Sequence, residues 1–137
     1  MKYQIILSRI AAMVALLMAC GVTAVSAQPG TSEEQRFPDV LSAKVRTMGD
    51  NSFNFDVTIS SPYDTASRYA DGFHVVSPSG SVLGERKLWH DHQAEQPFTR
   101  DLYSVKISPE IKEVVIVARD QKYGYGGKSI QVGLPDR

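Results

Sequence analysis

His90-Asp91-His92, followed by Glu95, is the cluster whose residue types and spacing most suggest chemistry. In a His-x-His pair at a strand end both imidazoles can point to one side, and a nearby carboxylate can complete a site for Zn²⁺ or Cu²⁺. A closed metal site normally takes a fourth ligand, so the same residues also read as a solvated loop with one imidazole bonded to nearby backbone. His74, between Phe73 and Val75, would join the set only if folding carried it beside His90. Tyr123-Gly124-Tyr125-Gly126-Gly127 is the second candidate. Aromatic side chains on a glycine-rich loop held by a rigid scaffold suit recognition of a peptide or glycan. The alternative is structural, with glycines supplying positive φ while a tyrosine packs back on a sheet. A phosphate cradle fails, because neither the Gly-x-Gly-x-x-Gly spacing nor a following helix is present.

Gln96-Pro97-Phe98-Thr99-Arg100 reads as an organised turn rather than a site. Proline fixes the backbone, Phe98 anchors the loop, and Arg100 is placed to pair with Asp101 or Asp120. No serine or histidine stands in a recognisable nucleophile context, and the chain is short for a pocket with several positioned groups. The expectation is therefore not an enzyme and no resident cofactor.

These loops need elements to hold them, and the order of elements begins with an export signal. The chain has 137 residues and starts with Met1, Lys2 and Arg9 before an apolar run from Ile10 to about Ala24. Val25-Ser26-Ala27 then places small residues ahead of Gln28, the pattern that a signal peptidase reads. The apolar run is shorter than a membrane span requires, so no span is expected in the mature form. Leu17-Met18-Ala19-Cys20 also resembles a lipobox, which leaves a lipid anchor at Cys20 as an alternative to release after Ala27. Cys20 is the only cysteine, so no disulfide is expected despite an oxidising compartment. Losing Lys2 and Arg9 turns an evenly charged chain slightly acidic, and no basic patch for nucleic acid stands out. The domains expected are a signal over residues 1–27, a flexible leader over 28–36 and a folded domain over 37–137.

Within that domain the period is two. Phe53, Phe55, Val57 and Ile59 alternate with polar residues, as do Leu41, Ala43 and Val45 before them. Gly49-Asp50-Asn51 between the two runs is turn chemistry, so together they predict a hairpin. Gly72–Val76 and Val82–Trp89 predict a third and a fourth strand around the turn Pro78-Ser79-Gly80. Phe98–Ile107 predicts a fifth, with Tyr103, Val105 and Ile107 sharing one face. Val114–Ala118 is apolar on both parities, the mark of a central strand. Ile130, Val132 and Leu134 alternate in a seventh. Seven short strands without a helical period predict an all-β, two-sheet sandwich, with a small barrel as the competing closure.

Two resemblances bear on this reading. Ile107 and Pro109 lead into an alternating strand ending at Ala118 and Asp120, and a glycine-bearing loop and last strand follow. That stretch resembles fibronectin type III and other immunoglobulin-like domains, although the corner tyrosine of those domains is absent here. The resemblance implies a seven-stranded immunoglobulin-like sandwich and implies no activity. From Phe37 to Pro135 the chain also resembles a family of small exported bacterial proteins known mostly from genomes. The pattern is carried by Tyr69-Ala70-Asp71-Gly72-Phe73, Leu83-Gly84-Glu85-Arg86, His90-Asp91-His92, Glu95 to Arg100, Ala118-Arg119-Asp120 and Gly124-Tyr125-Gly126-Gly127. Members often carry a histidine where Tyr123 stands.

The sequence thus predicts a periplasmic or secreted β-sandwich that acts as a binding or structural module. Its expected partner is an envelope protein or glycan met through Tyr123 and Tyr125. Its competing role is metal binding through His90, His92 and Glu95. Both loops are expected at one end of the sandwich.

Overall fold

A computed structural model describes residues Glu33–Arg137. The export signal, Cys20 and residues 28–32 of the leader lie outside the described residues. Eight strands follow in order: β1 (Asp39–Thr47), β2 (Ser52–Ser60), β3 (Ala70–Val76), β4 (Val82–Lys87), β5 (Phe98–Lys106), β6 (Glu113–Asp120), β7 (Gly124–Tyr125) and β8 (Ile130–Gly133). There is no helix among the described residues. Seven of the strands are those predicted from the sequence. The eighth, β7, lies in the glycine loop and is too short to leave a periodic signal.

All pairings are antiparallel and form two sheets. One has the order β1-β2-β5; the other has the order β4-β3-β6, with β7 and β8 both on the far edge of β6. The predicted hairpin is β1–β2, and Gly49, Asp50 and Asn51 at its turn all have positive φ. The central strand predicted from Val114–Ala118 is β6, whose Val114, Ile116 and Ala118 are fully buried while Val115 and Val117 are half-covered.

Phe53, Phe55, Val57 and Ile59 from one sheet meet Phe73, Val75, Val114 and Ile116 from the other in a single apolar core. At one long side the sheets approach through Arg86 and Asp101, 3.1 Å apart, and through Gly84. A Cβ at Gly84 would stand only 3.0 Å from the Val105 side chain, so the absence of a side chain there eases the close approach of β4 to β5. At the other side the Val40 amide donates to the Lys128 carbonyl at 2.8 Å. The Lys128 amide donates to the Asp39 carboxylate at the same distance.

Two details differ from the alternation. Tyr103 does not share the inner face with Val105 and Ile107; it is exposed. Ser104 has φ of 56°, its amide donates to the Asn54 side chain at 2.9 Å, and the β2–β5 register shifts at this point. This bulge inserts one residue and reverses the parity of the strand, so Phe98 and Val105 both face inward. The fourth strand also ends at Lys87 rather than Trp89. One further ladder bond follows, from the Leu88 amide to the Asp71 carbonyl, and Trp89 then leaves the sheet.

The domain has two distinct ends. The β2–β3, β4–β5 and β6–β7 connections lie at one end, where Asp39 pairs with Ser60, Ala70 with Asp120 and Ile59 with Phe98. β8 finishes at the opposite end, where Gly133 pairs with Glu113. The Arg137 guanidinium donates there to the Ser108 and Ile111 carbonyls.

Candidate functional site

The loop end is organised by two buried carboxylates, neither of which was singled out in the sequence as a site residue. Asp64, in the β2–β3 connection, accepts the Ala70 amide on one oxygen and the His92 amide on the other, each at 3.0 Å. Its side chain is fully buried and bonds backbone N–H groups from both connections, which fixes residues 90–97 against the β2–β3 loop. The Gln96 side chain completes this brace by accepting the Ser61 amide and donating to the His92 carbonyl.

Asp120, also fully buried, closes the β6–β7 turn. One of its oxygens accepts the Lys122 and Tyr123 amides, both at 2.8 Å, and the other faces the Arg68 Nε at 3.2 Å. An aspartate that accepts amides two and three residues on is a local turn motif, and its position just after an apolar strand was the available signal for it.

Arg68 gathers the arriving chain. Its guanidinium pairs with Glu34 at 2.9 Å and donates to the Gln35 and Arg36 carbonyls. The rings of Tyr63 and Tyr123 flank it, with centroids 4.3 Å and 4.9 Å away. Cations over aromatic faces contribute about 0.5–1 kcal/mol each at partly exposed sites. Residues 34–36, part of the predicted leader, are thereby tied to the loop end. Phe37 and Pro38 then pass against the glycine loop. A Cβ at Gly126 would stand 2.6 Å from the Phe37 ring, and one at Gly127 would meet the Pro38 carbonyl. These two glycines are set by close approach of the chain. Tyr123 and Tyr125 stay partly exposed, at 40% and 37%.

The two histidines of the predicted metal pair lie side by side in very different surroundings. Their ring centroids are 4.8 Å apart with planes tilted by 39°. His90 is exposed, and its Nδ1–H donates to the Asp91 carbonyl at 2.8 Å. His92 is only 4% exposed and lies flat on Phe98 at 3.9 Å. Neither ring nitrogen of His92 has a hydrogen-bond partner, and its Nδ1 is 3.9 Å from the Asp64 carboxylate. Burial pushes the His92 pKa down, and Arg100 and His90 add to the shift.

Glu95 is engaged by Arg100. Arg100 grips it with two nitrogens at 2.9 and 3.2 Å, and this pairing holds the Glu95 carboxyl below the usual carboxylate range. Arg100 therefore bonds neither Asp101 nor Asp120, the partners anticipated for it; those acids take Arg86 and Arg68. His74 is not part of this cluster. It lies on β3 and stacks on Tyr125 at 3.7 Å, nearly parallel. Among the described residues no three His, Cys, Asp or Glu side chains are grouped closely enough to hold a metal ion.

Comparisons with known proteins add a relative and little else. No protein-family profile matches the chain. A protein from Halomicrobium mukohataei described as "Putative lipoprotein" is 33% identical over 103 residues, which cover 74% of this chain. The chain spans half the length of this curated relative. The two are distant homologues over that stretch. Among solved structures, the superoxide reductase (1Fe-SOR) of Giardia intestinalis is similar at a TM-score of 0.42 and 12% identity. That likeness covers 70% of this chain and 99% of the other. At that score it bears on neither fold nor chemistry.

Proposed function

We propose that this chain is an exported, non-enzymatic β-sandwich working as a binding or structural module of the cell envelope. Its working surface is the loop end formed by residues 90–97 and 123–127. One observation carries this reading: both connections leave the sandwich at the same end, braced by Asp64 and Asp120, with exposed Tyr123 and Tyr125 on one and exposed Trp89 just before the other. Rigidly held loops with exposed tyrosine and tryptophan are well suited to contact a partner at low entropic cost. The strand orders β1-β2-β5 and β4-β3-β6-β8 support an immunoglobulin-like layout within that module.

The lipoprotein wording of the relative supports an envelope location, and lipidation at Cys20 stands beside release after Ala27. Mass spectrometry of the mature N-terminus distinguishes them, since one route leaves Gln28 first and the other an acylated Cys20. Capture of envelope components by the mature domain tests the working surface. A Tyr123→Ala/Tyr125→Ala variant that captures the same components to the same extent would remove the loop end from consideration.

A second reading has its own observation. His92 is buried with both ring nitrogens unpartnered, beside the ring of His90. An imidazole without a hydrogen-bond partner is a ready metal ligand, and Zn²⁺ or Cu²⁺ is the natural candidate. Titration with either ion, alongside a His90→Ala/His92→Ala variant, decides it. Binding that is absent, or indifferent to the double substitution, sinks the metal reading.

A further inference from the structure

On the outer face of the second sheet, next to the loop end, lies a cleft of about 240 Å³ bounded by Asp71, Glu85, Lys87, Arg119 and Tyr125. Strand register places these groups. Lys87 on β4 and Arg119 on β6 both pair with Gly72 on β3, so two cations flank a position without a side chain. Glu85 pairs with His74, which in turn stacks on Tyr125 and so sets that ring at the edge of the cleft. Asp71 bonds Arg119 through one oxygen, and its other oxygen is buried with no hydrogen-bond partner. Lys87 pairs with Gly72 and its ammonium is 5.4 Å from the ring of Trp89, which follows the end of the strand. Trp89 is 77% exposed, the most exposed of the large apolar side chains here.

Carboxylates only accept hydrogen bonds, and ammonium and guanidinium groups only donate. A ligand of one charge would meet like charge on half of this cleft. A hydroxyl both donates and accepts, so a ring bearing several hydroxyls can satisfy both kinds at once. The adjoining indole offers an apolar face, which suits a molecule that alternates C–H faces with hydroxyl edges. We propose that this cleft binds one pyranose ring of an envelope glycan, with Asp71, Glu85, Lys87 and Arg119 meeting its hydroxyls beside Tyr125 and Trp89. The assignment rests on the binding-module reading and names the partner class for it.

Trp89 is the only tryptophan in the chain, and its ring lies beside Lys87 at the cleft's border, so its emission is the natural probe of occupancy there. The processed chain is titrated with tetrasaccharides of N-acetylglucosamine and of mannose, and separately with trilysine and free glutamate. A saturable change in emission is expected with at least one tetrasaccharide. Glu85→Gln and Tyr125→Ala should each weaken it by about tenfold or more. Glu85 is exposed, so its variant is not expected to disturb folding, and an unchanged melting temperature checks this. No saturable change with either tetrasaccharide, or binding indifferent to both substitutions, overturns the glycan assignment. Saturation by trilysine or glutamate alone, lost in Glu85→Gln, overturns the glycan while leaving a binding module in place. If no probe saturates and the loop tyrosines also prove dispensable for capture, both readings fall together.

Discussion

Asp64 and Asp120 are both fully buried and both brace a connection at the same end, yet they do so with opposite means. Asp120 has a cation beside it, and Arg68 shares its charge while also gripping the arriving chain. Among its hydrogen-bond donors Asp64 has only backbone amides, those of Ala70 and His92, and the imidazole 3.9 Å away is one whose burial favours the neutral form. One carboxylate is compensated by a guanidinium and the other by oriented peptide dipoles. The 120–125 turn therefore depends on a local motif whose carboxylate also holds Arg68, whereas the 90–97 connection depends on a carboxylate 28 positions before His92, in the β2–β3 connection.

Breaking the first arrangement should have the largest effect. Asp120→Ala leaves the Lys122 and Tyr123 amides without their acceptor and takes one of four acceptors from the Arg68 guanidinium, which together should cost about 3–5 kcal/mol. Chemical denaturation should show that loss. A value under about 1 kcal/mol would mean that Arg68 and the turn are held by other contacts.

Asp64→Ala should come next, at about 2–4 kcal/mol for two buried amides left unsatisfied. Asp64→Asn keeps one good acceptor and should recover part of the loss. If the alanine and asparagine variants were equally unstable, the charge of Asp64 and not its hydrogen bonds would be what matters.

A smaller effect is expected from acid. Burial lowers the His92 pKa in the folded state below its ordinary value of about 6.5, so the unfolded chain binds more protons at His92 as the pH falls. Stability should therefore decline as pH drops below about 6.5, and should be restored as pH rises. His74, which burial shifts the same way, contributes a parallel loss. His92→Phe should flatten the dependence by removing one of the two groups. A pH profile identical to the parent would show that His92 does not resist protonation.

The least effect should come from the Glu95–Arg100 pair. Both arms reach solvent and are screened there, so Glu95→Gln should leave the melting temperature unchanged within error. A clear drop would reveal a role for Glu95 in holding the 90–97 connection.

Most strands were legible because one face of each is buried and the alternation of Phe53 to Ile59 or Ile130 to Leu134 records it. The parity of β5 was not legible. A bulge at Ser104 depends on the Asn54 side chain across the sheet, a contact remote in sequence. β7 was invisible for a different reason, since two residues carry no period. Of the candidate site, the neighbouring of His90 and His92 follows from their spacing, but the engagement of Glu95 by Arg100 and the transfer of His74 to Tyr125 are products of tertiary packing. The braces were the least visible part. Nothing in an isolated aspartate tells whether it will be buried, and Asp64 acts on residues six and 28 positions away.

The two ends of the fold have a mechanical consequence. The chain arrives at the loop end, where Arg68 holds residues 34–36, and β1 runs from there while β8 finishes at the far end. Tension between the two extremities would pull β1 along its own length. Its ladder with β2 would then be loaded in shear, with many hydrogen bonds strained together instead of opening one at a time. An assembly that tethers this domain at one extremity and pulls at the other would thus meet the fold in its stiffest direction.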